Sequence, residues 1–263
     1  MTLLTMNNID FSYNEQSVFH NVSIQLSRGK LVGIVGPNGG GKSTLLKLIA
    51  KQMEPNSGAI TLKGTPLSRY SMKALAKQIA YLPQHPLSPA GITVEQLVQY
   101  GRHPHQSWFN QWNEKDAEQV NQAIELMQLA DILQQPVTSL SGGQRQRAWL
   151  AMILAQDTDL ILLDEPTSAL DIGHQIEVME SISHMVASGK TVVLVIHDLA
   201  AAARYCDELI AIGNNTVVAS GSVNEVVTKN LIDDLYDTNV DILYAPFDQA
   251  PVIVPRRQVH AKK

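Results

Sequence analysis

Cysteine is almost absent: the 263 residues carry one, Cys206. That excludes an internal disulfide framework and a Cys-rich zinc site, and fits a reducing compartment. Long hydrophobic runs are missing as well. The longest, Ala148 to Ala155, is eight residues, against about 20 for a membrane span. Any membrane role must therefore come through a partner. The start, MTLLTMNNIDFSY, lacks the charged opening and long apolar centre of a signal peptide. Positive charge is not in excess: 20 Lys and Arg against 25 Asp and Glu leave −5. This argues against a protein that holds nucleic acid by its phosphates. No repeat with a period of roughly 20–50 residues and no low-complexity linker is present. What is there, 44% hydrophobic and 17% charged residues, describes a soluble globular chain able to bury a sizeable core.

Residues 2–35 read as strands, with a turn at Asn14 and the apolar run Leu31 to Val35 at the end. Helical spacing follows in STLLKLIAKQ, then short strands at 58–62 and 79–82. The stretch 85–139 is rich in Gln, His and Pro, has helical patterns at 93–100 and 114–135, and reads as a helical insert. From 142 helices (142–156, 172–187, 198–205) alternate with strands at Leu160–Leu163, Thr191–Ile196 and Leu209–Ile212. Such alternation predicts an α/β fold with a mostly parallel sheet. Residues 216–254 suggest a hairpin, two small helices and weak strands.

Gly36-Pro37-Asn38-Gly39-Gly40-Gly41-Lys42-Ser43 fits G-x-x-x-x-G-K-[ST] between an apolar strand and a helix. Glycines let successive backbone N–H groups curl around a phosphate, and the helix N-terminus adds partial positive charge. Lys42 supplies a point charge, and Ser43 a hydroxyl for Mg²⁺. Leu160-Ile161-Leu162-Leu163-Asp164-Glu165 is a buried strand that ends in two acids at the sheet edge, where ligands bind. Asp164 suits a contact to Mg²⁺, and Glu165 could polarise an attacking water. Leu140-Ser141-Gly142-Gly143-Gln144 precedes a helix, with Ser141 as N-cap and paired glycines that expose backbone N–H groups.

At this point the chain resembles the ATP-binding subunits of ABC transporters, over nearly its whole length. Residues 36–44, Thr44 included, resemble Walker A, 160–165 Walker B, and LSGGQ the signature motif. Tyr13 resembles the aromatic that stacks on adenine, and Gln84 in YLPQ the Q-loop glutamine, a further Mg²⁺ contact. Ser168-Ala169-Leu170-Asp171 resembles the D-loop, with Asp171 at the nucleotide, and His197 the switch histidine. The resemblance implies a P-loop NTPase core sheet with an N-terminal antiparallel β subdomain and a helical insert. It implies a single domain, with 1–84 and 156–263 as the nucleotide-binding core and 85–155 as the helical part. It also implies ATP and Mg²⁺ as cofactors. Two copies are expected head to tail, each ATP lying between one copy's phosphate loop and the other's Ser141–Gln144. Glu165 is expected as the base, with His197, Lys42 and Gln84 completing the catalytic set. Gly40 stands where many members carry Ser or Ala.

Tyr100-Gly101-Arg102-His103-Pro104-His105 and Ala250-Pro251-Val252-Ile253-Val254-Pro255 resemble stretches of iron-siderophore, haem and cobalamin importer ATPases. That resemblance implies integral membrane permease partners, a substrate-binding protein beyond them, and a place on the cytoplasmic face of a bacterial inner membrane. An iron–sulfur assembly ATPase is the non-transport alternative. The polar, Pro-rich segments His85–Gly91 and Gly101–His105 are expected to face the membrane partner. Leu87→Asp and Arg102→Glu would then spare soluble ATPase activity. Pro104 argues against His103 and His105 as a metal pair. The basic tail, Arg256 to Lys263, reads as a solvated end rather than a lipid contact.

Overall fold

The computed structural model describes residues 1–87, 91–106, 112–168, 170–246 and 249–256. In chain order the strands and helices are β1 (Thr2–Tyr13), β2 (Gln16–Ser27), β3 (Leu31–Val35), α1 (Lys42–Ile49), β4 (Ser57–Leu62), β5 (Thr65–Pro66), α2 (Met72–Leu75) and β6 (Ile79–Leu82). Next come α3 (Val94–Tyr100), α4 (Glu114–Leu126), α5 (Gly142–Ala155), β7 (Leu160–Asp164), α6 (Ile172–Ala187), β8 (Thr191–Val195) and α7 (Leu199–Tyr205). The last are β9 (Glu208–Gly213), β10 (Thr216–Ser222), α8 (Val223–Val226), α9 (Lys229–Tyr236), β11 (Val240–Tyr244) and β12 (Pro251–Pro255).

The strands fall into three sheets. An antiparallel sheet runs β2-β1-β4-β5, and β11 pairs with β12. The third, β10-β9-β3-β8-β7-β6, is parallel except for β10 at its edge. Its strands β3, β7 and β8 are buried at every residue, which is why they read as unbroken apolar runs. Because strand side chains alternate faces, the runs divide between two cores. Leu31, Val35, Ile161, Leu163, Val192 and Leu194 join the core built with α3–α7. Val32, Ile34, Leu160, Leu162, Val193 and Val195 join the core built with β1, β2, β4 and α1. The molecule is therefore α/β, with the antiparallel sheet and α1 on one face of the parallel sheet and α3–α7 on the other.

The parallel direction positions the site. Register pairs Ile34 with Val195, Val195 with Asp164, and Leu163 with Leu82. The carboxyl ends of β3, β8, β7 and β6 thus lie along one edge and deliver, in that order, the loop 36–41, His197, Asp164 with Glu165, and Gln84.

Two expectations are corrected. The helical pattern over 114–135 breaks at Leu126. Gln128 turns into the left-handed region (φ 53), and Leu129 N–H closes back on Ile124 O, which ends α4. Arg102 is no surface residue: it is 2% exposed. Its Nε donates to Asp116 Oδ1 at 2.8 Å and its Nη1 to Ala155 O at 2.8 Å. A guanidinium with a paired carboxylate and a helix-end carbonyl is satisfied inside the protein, where it joins α3, α4 and α5. Leu87, by contrast, is 91% exposed. Of the basic tail only Arg256 lies within the described residues, paired with Asp241. Cys206 is packing: it is buried beside Gly33, and burial followed by the Asp207 charge pushes its thiol up to about 12.

Candidate functional site

The loop 36–41 leaves β3 and enters α1 through Gly41, which caps the helix at φ 91. No side chain fits at Gly41, since a Cβ would stand 2.8 Å from Phe19 and from Val18. Gly39 also has positive φ (76) but meets nothing within 4 Å, so its backbone faces open space. The Gly40 N–H donates to Pro37 O at 3.2 Å. A Cβ at Gly40 would lie 3.1 Å from that carbonyl, so Ser or Ala would need only a small shift.

Lys42 is 5% exposed, and its Nζ donates to Gly36 O (2.9 Å) and Pro37 O (2.8 Å). Two of its three hydrogens therefore shape the loop, and one remains for a ligand. Burial pulls its ammonium below the usual lysine range, against the Glu165 and Asp164 charges that hold it up. Ser43 Oγ donates to Asp164 Oδ1 at 2.8 Å, and Tyr81 Oη to Asp164 Oδ2 at 3.3 Å. Burial raises the Asp164 carboxyl above its ordinary range even against these two donors. A hydroxyl and a carboxylate held in contact are hard oxygen donors, the set that suits Mg²⁺ rather than a softer metal. Among the described residues there is no cluster of three or more His, Cys, Asp or Glu able to hold a metal alone. His105 bonds Gln156 O at 2.8 Å instead.

Glu165 follows β7 in the left-handed region (φ 52), rare for a residue with a Cβ. This turn throws its carboxylate out of the strand line. There Oε1 lies 2.6 Å from His197 Nε2, and Oε2 accepts from Gln84 Nε2 at 2.5 Å. Each oxygen keeps a second lone pair. Tyr13 closes the far end. Its ring stands edge-on to Phe11 (5.0 Å between centroids, 86°) and is 42% exposed. Its hydroxyl reaches Met53 Sδ (3.2 Å) and Thr44 Oγ1 (3.4 Å). One open cleft of about 300 Å³ is lined by Tyr13, Asn38, Lys42, Ser43, Glu165 and His197, among others.

Ser141–Gln144 and Asp171 do not line that cleft. Ser141 Oγ accepts from Gln144 N–H (3.3 Å) while Gln144 Oε1 accepts from Ser141 N–H (3.1 Å), a reciprocal cap on α5. Asp171 caps α6 and contacts His174 Nδ1 at 2.9 Å. The His174 ring lies where a Cβ on Gly143 would stand, 2.2 Å away. Glycine is thus required at 143 for α5 and α6 to approach. Four site residues lie outside the motifs: Gln16 and Val18 on the cleft wall, Tyr81 on Asp164, and Tyr236, whose Oη accepts from Gly36 N–H at 2.9 Å. Tyr81 stands three residues before Gln84 on β6 and so could have been placed by register. Tyr236 is 200 residues from its partner, and no local pattern connects them.

Residues 19–168 match the ABC transporter family. The achromobactin transport ATP-binding protein CbrD of Dickeya dadantii (strain 3937) is 43% identical over 97% of this chain and 95% of its own length. The ferric enterobactin transport ATP-binding protein FepC of Escherichia coli (strain K12) is 41% identical over 94% and 92%. Among solved structures, a chain of a metal-chelate type ABC transporter in an inward-facing conformation superposes with a TM-score of 0.84 at 27% identity, covering 97% of this chain and 98% of its own. An ATP-binding subunit of an ABC transporter gives 0.76 at 27%, over 89% and 98%. Fold, cleft and similarity agree, and the chain belongs to the ABC transporter family.

Proposed function

We propose that this chain is the ATP-hydrolysing subunit of an importer for ferric siderophores, joined to membrane permease subunits on the cytoplasmic side. The observation that carries the catalytic part is the Glu165 carboxylate, clasped by His197 and Gln84 across the cleft from Lys42 and the Ser43–Asp164 pair. The siderophore part is supported by relatives named for achromobactin and ferric enterobactin transport that align end to end at 41–43% identity. No helix among the described residues is long and apolar enough to cross a membrane, so transport requires permease partners.

In this reading Tyr13 stacks on the base, and the loop 36–41 and Thr44 cradle the phosphates. Lys42 directs its remaining hydrogen at them. Ser43, Asp164 and Gln84 Oε1 would hold Mg²⁺, which when bound offsets phosphate charge. Glu165 accepts a proton from the attacking water, and His197 orients that carboxylate and lies within reach of the terminal phosphate. Hydrolysis by such a site is mainly positioning and charge stabilisation. Ser141, Gly142, Gly143 and Gln144, with Asp171, complete the cleft of a second copy, so the working unit is a homodimer. A substrate-binding protein delivers the ligand to the permease from the far side.

The test is twofold. The purified subunit should hydrolyse MgATP, and Glu165→Gln should bind it without turnover. Deleting the chain should abolish growth on a ferric siderophore as sole iron source, with rescue by the wild-type chain alone. ATPase activity with normal siderophore-dependent growth of the deletion strain would reject the importer assignment.

A further inference from the structure

Among the described residues, the C-terminal part of the chain reaches the phosphate loop through a hydrogen bond from Gly36 to Tyr236. Tyr236, the last residue of α9, accepts the Gly36 N–H on its hydroxyl oxygen at 2.9 Å. The carbonyl of the same glycine accepts from Lys42 Nζ at 2.9 Å. Gly36 has φ 144, and a Cβ on it would fall 2.2 Å from Ile212 O. With no side chain to anchor it, Gly36 is oriented by these two side-chain bonds to its backbone.

The hydroxyl is itself held independently of the loop. Leu235 packs where Gly213 leaves room, since a Cβ there would stand 2.7 Å from its Cδ1. Thr228 caps α9. Asp233 Oδ1 accepts from Val240 N–H at 2.7 Å, and Lys229 Nζ ties Asp233, Asn239 and Val240 together at 2.6–2.8 Å. Strand β12 of the same segment packs on α7, the helix that follows His197. The C-terminal segment thus touches two elements that lead into the cleft, the loop 36–41 and the helix after His197. Burial raises the phenol above the usual tyrosine range, so it stays a neutral hydroxyl at working pH.

We propose that Tyr236 is a positioning residue for the phosphate loop. Its oxygen holds the peptide before Gly36 while Lys42 holds the carbonyl of the peptide after it, and α9 thereby sets how well the loop receives phosphate. The inference rests on reading the cleft as an ATP site. The opening beside Tyr236, lined by Asn38, His197, Asp234 and Asp237, lets water replace the lost oxygen, so Tyr236→Phe should fold.

The test compares wild type, Tyr236→Phe, Lys229→Met, which loosens α9 without touching the loop, and the double variant. For Tyr236→Phe the KM for MgATP should rise roughly five-fold, the equivalent of one ordinary hydrogen bond, with kcat nearly unchanged. Without nucleotide, the Gly36 amide should exchange with deuterium faster than in wild type. Lys229→Met should lower the melting temperature and raise KM by less than Tyr236→Phe, and adding it to Tyr236→Phe should raise KM no further. An unchanged KM and unchanged Gly36 exchange in Tyr236→Phe, or KM effects that add in the double variant, would overturn the proposal. A wild-type chain that neither binds nor hydrolyses ATP would instead reject the ATP-site reading beneath it.

Discussion

The cleft at the ends of the parallel strands and the helical region from Thr93 to Ala155 use polar residues in opposite ways. In the cleft, polar side chains meet across strand ends and keep spare capacity. Lys42 retains a hydrogen, and the Glu165 oxygens and the Ser43–Asp164 pair retain lone pairs. In the helical region they hold the fold: Arg102 binds Asp116 and Ala155 O, and Ser141 and Gln144 each accept the other's N–H to cap α5. The first arrangement is poised for a ligand, and the second makes a rigid block. The lesson is that reactivity and rigidity are segregated, and that the signature residues, which cap α5, stand outside the cleft.

Substitutions can break this contrast. The largest effect is expected for Glu165→Gln, which keeps shape and loses the base. Hydrolysis should fall by roughly 10²–10⁴-fold with the melting temperature and MgATP affinity retained, as stopped-flow phosphate release and calorimetry would record. Arg102→Glu should do the reverse. It buries a carboxylate against Asp116 and should cost about 3–5 kcal/mol of stability, read by denaturant unfolding. Normal stability there would mean that the pair is not buried in solution.

Smaller effects sharpen the contrast within the cleft. Tyr13→Ala should weaken nucleotide binding by about 1–3 kcal/mol, on the scale of base–aromatic stacking, measured by titration of a fluorescent ATP analogue. Asp164→Asn tests the buried carboxyl. Its folded pKa is raised, so its protonated form favours folding; stability holds below the unfolded range near 3.9 and declines as pH rises through the folded value. Without Mg²⁺ and nucleotide, Asp164→Asn should therefore melt higher than wild type at pH 7. That gain should vanish in acid, where both side chains are neutral. A gain that persisted at low pH would assign it to packing. Leu87→Asp, fully in solvent, should leave soluble ATPase activity within about two-fold, as expected for a surface change, while siderophore-dependent growth fails.

Much of this was legible in the sequence, for physical reasons that differ by residue. Strands β3, β7 and β8 are buried on both faces, so composition alone betrays them. Lys42, Ser43, Asp164 and Glu165 lie next to those strands, so their placement followed from chain direction. Arg102 was misjudged because a polar string beside a proline resembles surface loop. Its burial depends on Asp116 and on the end of α5, 14 and 53 residues away. Tyr236 was invisible because its partner is a backbone N–H with no sequence identity. The end of α4 was missed because Gln128 takes a left-handed conformation that its residue type does not announce.

The central claim is that one copy supplies the reactive cleft and another the signature helix. It is tested most directly by mixing Lys42→Ala with Ser141→Asp. The aspartate preserves the α5 cap but sets a carboxylate against phosphate. Each variant alone should be inactive. Mixed, they should form heterodimers with one intact site, and ATPase activity should reappear in proportion to the minority variant. Absence of any recovery despite demonstrated subunit exchange, or full activity of Ser141→Asp alone, would contradict the account.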